Sequence, residues 1–143
     1  MIAYKLSRKE IACKCGCGLA ALTWSLLFRW ILLRIFVGKS IYVNSGCRCP
    51  AHNKAVGGSP KSQHQYGQAL DLKTPEGYTV QSFAKVCKLF FPVVITSYKG
   101  KNYHWGVHVD VRSDKMDLKG IGITICNIFR LWTEHIILQR NRK

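Results

Sequence analysis

Residues 107–112 read Val107-His108-Val109-Asp110-Val111-Arg112, three valines alternating with three polar side chains. Such alternation is typical of a β-strand that is buried on one face, because successive side chains point to opposite sides of a sheet. We therefore expect the valines to face a core and His108 and Asp110 to share the other face. If the strand starts earlier, Gly106 and His104 extend that polar face.

A second alternation, Ala69-Leu70-Asp71-Leu72, places Asp71 on the face opposite two leucines. His64 precedes it in Ser62-Gln63-His64-Gln65-Tyr66-Gly67, whose composition favours a loop over a strand. Two histidines and one carboxylate are the ligand set of a catalytic zinc site, which keeps its fourth position for water. If these segments meet in space, His64, Asp71 and His108 form such a site. The alternative is that they are surface polar groups on ordinary strands.

The intervening residues carry a longer pattern, which runs Ser45-Gly46-Cys47-Arg48-Cys49-Pro50-Ala51-His52-Asn53, Val56-Gly57-Gly58 and Ser62-x-His64-x-x-Gly67-x-Ala69-x-Asp71. Together with 108–112 it resembles the zinc D-Ala-D-Ala carboxypeptidase family, the murein metallopeptidases of bacteria and phages that include endolysin-like enzymes. The match is strongest over residues 40–112 and looser from residue 6. The resemblance implies that His64, Asp71 and His108 are the zinc ligands, and that Arg48 contacts the substrate near its scissile carbonyl or its carboxylate.

These roles are chemically reasonable for peptide hydrolysis. Bound zinc lowers the pKa of water and polarises the carbonyl, and a guanidinium is an always-charged partner for an oxyanion or a terminal carboxylate. Ser62 and Gln63 are candidate hydrogen-bond partners for the substrate backbone. Without the resemblance, Arg48 would be interpreted as a surface or capping arginine.

The general base is less well defined by the sequence. Other branches of the resembled family place a catalytic carboxylate a few residues before the last histidine ligand, whereas residues 103–107 of this chain contain none. Two candidates remain, Asp110 beyond His108 and His104 before it. Asp110 is the preferred one, either as the base or as an acceptor that orients an imidazole, a common arrangement around zinc.

The length of 143 residues suits one core without internal repeats. Helices are predicted over 19–37, ending at Gly38-Lys39, and over 79–90, where the inner face is Val80, Phe83, Ala84, Cys87 and Phe90. Further strand candidates are 41–43 and 93–96. Together they predict an α+β fold: a small antiparallel sheet that carries the zinc site and is flanked by helices. We place a single zinc peptidase domain at 1–120 and a basic, partly amphipathic helical tail at 121–143.

Two apolar stretches raise the question of a membrane. Residues 15–28 carry no charge, but Arg29 and Arg34 interrupt the stretch before it reaches the length of a membrane span. We prefer a buried core helix there to a membrane-associated one. The tail either packs on the domain or lies as an interfacial helix on an anionic membrane surface.

The net charge of +15 concerns partners, not fold. Bacterial cell walls are polyanionic and attract a basic enzyme, while nucleic acid is the competing partner. The Lys and Arg residues are spread along the chain, so no dedicated nucleic-acid partner is expected. We expect a monomer that acts on peptidoglycan peptides. No signal peptide is recognisable, so we expect synthesis in the cytoplasm and phage-type release to the cell wall.

Seven cysteines are many for this length; they cluster at Cys13-Lys14-Cys15-Gly16-Cys17 and Cys47-Arg48-Cys49, with Cys87 and Cys126 apart. Their spacing is not the paired C-x-x-C of a zinc ribbon. Three interpretations remain: buried reduced thiols, disulfides between the clusters, or a second, structural zinc. The missing secretory signal favours reduced thiols over the Cys-bound metal.

The sequence thus predicts a zinc-dependent peptidase that hydrolyses peptidoglycan stem peptides, as a D-Ala-D-Ala carboxypeptidase or as a murein endopeptidase. The alternative is a non-catalytic, zinc-stabilised basic module that binds cell-wall polymer or nucleic acid. An open metal position with Arg48 beside it favours the enzyme, and a fourth protein ligand favours the module.

Overall fold

The computed structural model describes residues 6–112, so the domain boundary expected at residue 120 and the tail 121–143 lie outside the described residues. The helices are α1 (Arg8–Ile11), α2 (Trp24–Val37), α3 (Pro50–Ala55) and α4 (Val80–Cys87), with one 3-10 helix at Gln63–Tyr66. The strands are β1 (Val43–Ser45), β2 (Ala69–Lys73), β3 (Val93–Ile95), β4 (Ser97–Tyr98), β5 (Lys101–Asn102) and β6 (Gly106–Asp110).

Four strands form the main sheet in the order β1-β2-β6-β3, and each neighbouring pair is antiparallel. In the central pair, Asp71 of β2 lies directly opposite His108 of β6, and Ala69 lies opposite Asp110. Strands β4 and β5 form a separate hairpin. The predicted α+β fold with a small antiparallel sheet beside helices is therefore confirmed.

The two faces of the central strands differ as the alternation predicts. Leu70, Leu72, Val107 and Val109 are fully buried and belong to the apolar core, which α2 and α4 complete with Leu26, Trp30, Leu33, Phe83 and Cys87. The opposite face presents Asp71 and His108. Successive side chains of a strand point to opposite faces, so the pairing register of β2 with β6 determines both which residues face the core and which face the polar side.

Helix α2 begins at Trp24, five residues later than the predicted Leu19. Residues 19–23 do not join the helix because their backbone groups are bonded elsewhere: the Leu19 carbonyl accepts from Cys13 N (2.7 Å), and Thr23 N donates to the Gly67 carbonyl (2.9 Å). The helix ends at Val37 as predicted, with Gly38 at a left-handed φ of 64°.

One side of α2 is buried, but the helix is not enclosed. Trp30 is fully buried, whereas Trp24 is 81% exposed and Phe28 is also exposed. The core helix expected from the sequence thus lies at the edge of the core, and its exposed side carries apolar residues as well. Within residues 6–112, no helix has both the length and the apolar character that a membrane crossing requires.

Helix α4 starts at a capping box in which Thr79 and Ser82 bond each other's backbone N–H. The α-helix is shorter than predicted because the bonding pattern changes after it. The N–H groups of Leu89 and Phe90 donate to the carbonyls three residues earlier, those of Val86 and Cys87, at 3.0 Å each. Of the predicted inner face, all but the partly exposed Val80 are buried.

The close contact of β2 and β6 can be tested at Gly106. A Cβ there would lie 1.9 Å from the Leu72 carbonyl oxygen, so Gly106→Ala must push the strands apart. We expect the free energy of unfolding to fall by about 3 kcal/mol, measured by denaturant titration. Gly100→Ala is the control, because a Cβ at Gly100 would have no atom within 4 Å. Only the left-handed backbone, with its φ of 75°, opposes this substitution, so the free energy of unfolding is expected to fall by about 1 kcal/mol. Equal losses in the two variants would contradict this register.

Candidate metal centre

The 3-10 helix at Gln63–Tyr66 precedes β2 and buries His64, leaving 2% of the residue exposed. Its Nδ1 lies 2.6 Å from the Gly46 carbonyl oxygen. A carbonyl only accepts hydrogen bonds, so Nδ1 carries the proton and Nε2 keeps a free lone pair. The loop predicted for this segment is therefore one short helical turn. The Gly46 carbonyl fixes the tautomer of the His64 imidazole.

His108 is held through its other ring nitrogen, Nε2. Its Nε2 lies 3.1 Å from Oδ2 of Asp110, a carboxylate that is fully buried and also accepts from Nε of Arg112 at 2.9 Å. Because the carboxylate accepts, Nε2 of His108 carries the proton and Nδ1 keeps the lone pair. Asp110 therefore orients His108 through the nitrogen that faces away from the site.

The two free imidazole nitrogens meet one carboxylate oxygen. His108 Nδ1 lies 2.8 Å and His64 Nε2 lies 3.1 Å from Asp71 Oδ1, and the two nitrogens are 3.2 Å apart. Ligands about 2.0–2.1 Å from a tetrahedral zinc ion lie about 3.3 Å from one another. At these separations the atoms can be bridged by protons on the imidazoles or by a metal ion, and the donor set of two nitrogens and one carboxylate oxygen fits a metal ion.

The charges of the site agree with this geometry. Burial opposes ionisation of Asp71, but hydrogen bonds from His108 and His64 hold the pKa of its carboxyl well below the usual range. Burial opposes protonation of His108, but its bonds to Asp110 and Asp71 raise the pKa of the imidazole. The negative charge at Asp71 thus persists at neutral pH, where it attracts a proton or a metal cation.

Arg48 contacts the third metal-competent residue. Its Nη2 donates to Asp71 Oδ2 at 2.6 Å, the oxygen that faces away from the histidines, and its Nε donates to Ser45 Oγ at 3.0 Å. The arginine therefore fixes the orientation of the carboxylate. Its side chain remains 18% exposed, and its contact with substrate stays a prediction.

A cavity of about 410 Å³ opens above these side chains. Its described lining includes the three metal-competent residues, Arg48 and the predicted substrate residues Ser62 and Gln63. It also includes residues that the sequence analysis missed: Lys61, Tyr98, Tyr103 and Arg112. The signal for the two tyrosines was the Lys99-Gly100 turn between them, which indicates a hairpin that can fold over the site.

The two candidates for the base lie elsewhere. Asp110 is fully buried, its oxygens are engaged by His108 and Arg112, and it does not line the cavity. His104 is exposed and is not part of the described cavity lining. The structure therefore places neither of them among the described residues that line the cavity, and the role of either as the base stays a prediction.

The matching family model is described as Peptidase M15, and it covers residues 4–110, about three quarters of the chain. The chain therefore belongs to the M15 peptidases, which are metal-dependent. No curated protein matches it. Since the matched range contains the whole acceptor cluster, we assign the chain as a metallopeptidase with a candidate metal group of His64, Asp71 and His108.

The orienting role of Asp110 predicts an effect on metal affinity. Asp110→Asn removes the charge behind His108, and loss of such a partner typically weakens metal binding by 10–100-fold. Competition with a chromophoric chelator measures the change. The matched control His104→Gln alters an exposed group outside the cavity and is expected to leave the affinity unchanged. An unaltered affinity in Asp110→Asn would contradict the assignment.

Proposed function

We propose that this M15 peptidase binds zinc through His64, Asp71 and His108 and hydrolyses peptide bonds in the stem peptides of peptidoglycan. The observation that supports this most is the convergence of three acceptors at the floor of an open cavity. Among residues 6–112, no fourth His, Cys, Asp or Glu belongs to this group. The position that faces the cavity is thus left for water, as in catalytic zinc sites.

Zinc, when bound, supplies a water of lowered pKa and polarises the scissile carbonyl. The protein provides the remaining parts. Asp110 and the Gly46 carbonyl hold the two imidazoles in the tautomers that leave a lone pair for the metal. Arg48 orients Asp71 and is exposed enough to meet an oxyanion or a carboxylate of the substrate.

Tyr103 is a further donor on the cavity wall. Burial raises the pKa of its hydroxyl, the nearby Asp71 carboxylate adds to this, and Arg48 opposes it. The hydroxyl therefore keeps its proton at neutral pH. Its ring stacks on Trp105 with centroids 4.8 Å apart, which limits its motion. We assign Tyr103 the hydrogen bond to the carbonyl oxygen on which charge develops during hydrolysis.

The charge of the cavity supports an anionic substrate. Its described lining carries the cations Arg48, Lys61 and Arg112, and Asp71 is the one carboxylate among these residues. The whole chain has a net charge of +15. Peptidoglycan stem peptides bear free carboxylates in a polyanionic wall, so electrostatic attraction favours their capture. Ser62 and Gln63 lie at the cavity edge, where they can bond the peptide backbone.

The setting of this activity is part of the same proposal. After synthesis in the cytoplasm, the protein is released by a route like that of phage lysis enzymes and acts on the cell wall as a monomer. The competing function is a zinc-stabilised module that binds wall polymer or nucleic acid without catalysis. The open metal position favours the enzyme, because a purely structural zinc site is usually closed by four protein ligands.

Digestion of purified murein tests the proposed activity. Zinc-loaded protein is expected to release peptide fragments that mass spectrometry identifies: free D-Ala if it is a carboxypeptidase, or separated cross-linked peptides if it is an endopeptidase. His64→Ala is expected to lower the rate by at least about a thousandfold, because the water loses its activating metal. The matched control His52→Ala changes a histidine outside the cavity and keeps the activity.

Two results would contradict the proposal. Identical products from the zinc-loaded protein and from His64→Ala would remove the enzyme hypothesis. Murein binding that persists without any cleavage would support the binding module instead.

Tyr103 gives a separate prediction about the chemical step. Tyr103→Phe retains the stacked ring and loses the donor, so kcat is expected to fall by about 100-fold with little change in KM. Tyr98→Phe is the matched control, since it lines the same cavity on the exposed hairpin and is expected to have a much smaller effect on kcat. Equal losses in both variants would contradict the assigned role.

A further inference from the structure

Four cysteines come together outside the metal centre described above. Cys13, Cys15 and Cys17 precede α2, and Cys49 directly precedes α3; their Sγ atoms all lie within 4.8 Å of one another. The Sγ atoms of Cys13 and Cys15 are 3.3 Å apart, and those of Cys15 and Cys49 are 3.6 Å apart. A disulfide bond measures about 2.05 Å, so these are free thiols gathered around one point.

The separations match a single tetrahedral ion. A zinc–sulfur bond of about 2.3 Å places the sulfurs of a tetrahedral site about 3.8 Å apart. The four atoms are too close together to enclose a cluster of several irons. We propose that Cys13, Cys15, Cys17 and Cys49 bind a structural zinc ion, separate from the ion at His64, Asp71 and His108.

The local backbone is shaped for this convergence. Gly16 and Gly18 adopt left-handed φ values of 82° and 80°, and no atom lies within 4 Å of a Cβ built at either position. Glycine is thus needed there for conformation and not for space. The bond from Gly16 N to the Cys13 carbonyl (3.3 Å) closes the first turn. This turn and the bend that follows it at residues 16–17 allow alternate cysteines to face the same point.

Backbone N–H groups also donate to two of the sulfurs. Cys49 N donates to Cys13 Sγ, and His52 N donates to Cys49 Sγ, each at 3.4 Å. Such donors favour the thiolate, which is the form that binds a metal.

The other described cysteines, Cys47 and Cys87, lie outside this cluster and have other surroundings. Cys47 Sγ donates to the Ala21 carbonyl and accepts from Ala21 N at 3.1 Å, and Cys87 is fully buried in the apolar core. The proposed site therefore has four thiolate ligands and no position for a substrate or a reactive water. A closed set of this kind is structural.

The place of the site explains what it stabilises. Cys49 directly follows Arg48, and Cys47, on its other side, donates its N–H to the Ile11 carbonyl at 2.8 Å. The zinc ion would tie the segment 13–17 to the loop that carries Arg48. This fixes the loop from which Arg48 reaches Asp71. The inference itself requires no assumption about the substrate.

Cobalt substitution and metal analysis test this site. Full-length protein loaded with Co²⁺ is expected to show intense thiolate-to-cobalt charge-transfer absorption, which a His/Asp/His site cannot produce. The band is expected to remain in His64→Ala and to disappear in the double variant Cys15→Ser/Cys17→Ser. Both replaced cysteines are exposed, so the apolar core is left intact. Zinc-loaded wild-type protein is expected to hold one equivalent more than the double variant.

Two further variants separate metal binding from general damage to the loop. Lys14→Ser changes an exposed residue between two ligands and is expected to keep the full zinc content. Cys17→His offers an alternative zinc ligand and is expected to retain the ion. The proposal is overturned if wild-type protein lacks the charge-transfer band or matches the double variant in zinc content. Bound iron in place of zinc, or a mass that shows disulfides among the four cysteines, would overturn it equally.

Discussion

The structure depends on one electrostatic constraint: two imidazoles and one carboxylate are buried with their polar atoms facing a common point. His64 gives its proton to the Gly46 carbonyl and His108 gives its proton to Asp110, so both remaining nitrogens point their lone pairs at the Asp71 carboxylate. Without a metal ion, protons on the imidazoles must bridge these atoms, because buried acceptors need donors. With a divalent ion the same atoms become a preorganised ligand set. The three side chains therefore form a group that could hold a metal ion.

The rest of the domain sets the geometry of that cluster. The pairing of β2 with β6 places Asp71 opposite His108, and the close approach at Gly106 leaves little freedom to slide. A shift by one residue would move the site into the core and the core leucines into the cavity. Arg48 and Arg112 neutralise the carboxylates of Asp71 and Asp110 from outside the cluster. Both arginines also belong to the described lining of the cavity.

The central strands, the core face and the positions of Asp71 and His108 were predictable, because alternation in 69–72 and 107–111 encodes them locally, whereas the assignment of His64 relied on its residue type and on the family resemblance. The start of α2 was not, since the backbone of residues 19–23 bonds to Cys13 and Gly67, which no local pattern reveals. Spacing also failed to indicate that Cys49 approaches the first cysteine cluster, because the segments are distant in the chain. The Lys99-Gly100 turn indicated a hairpin, but the sequence did not show that its tyrosines line the cavity. For the proton transfer, the sequence offered Asp110 and His104, and the structure places both away from the cavity.

The central claim is that a metal ion lies among His64, Asp71 and His108. A crystal structure of the zinc-loaded protein, with anomalous diffraction data collected on both sides of the zinc absorption edge, tests it most directly. The account predicts an anomalous peak about 2.0–2.1 Å from His64 Nε2, His108 Nδ1 and a carboxylate oxygen of Asp71, with a water on the cavity side. Zinc-loaded crystals without a peak there, in which the two imidazoles bond directly to Asp71, would contradict it.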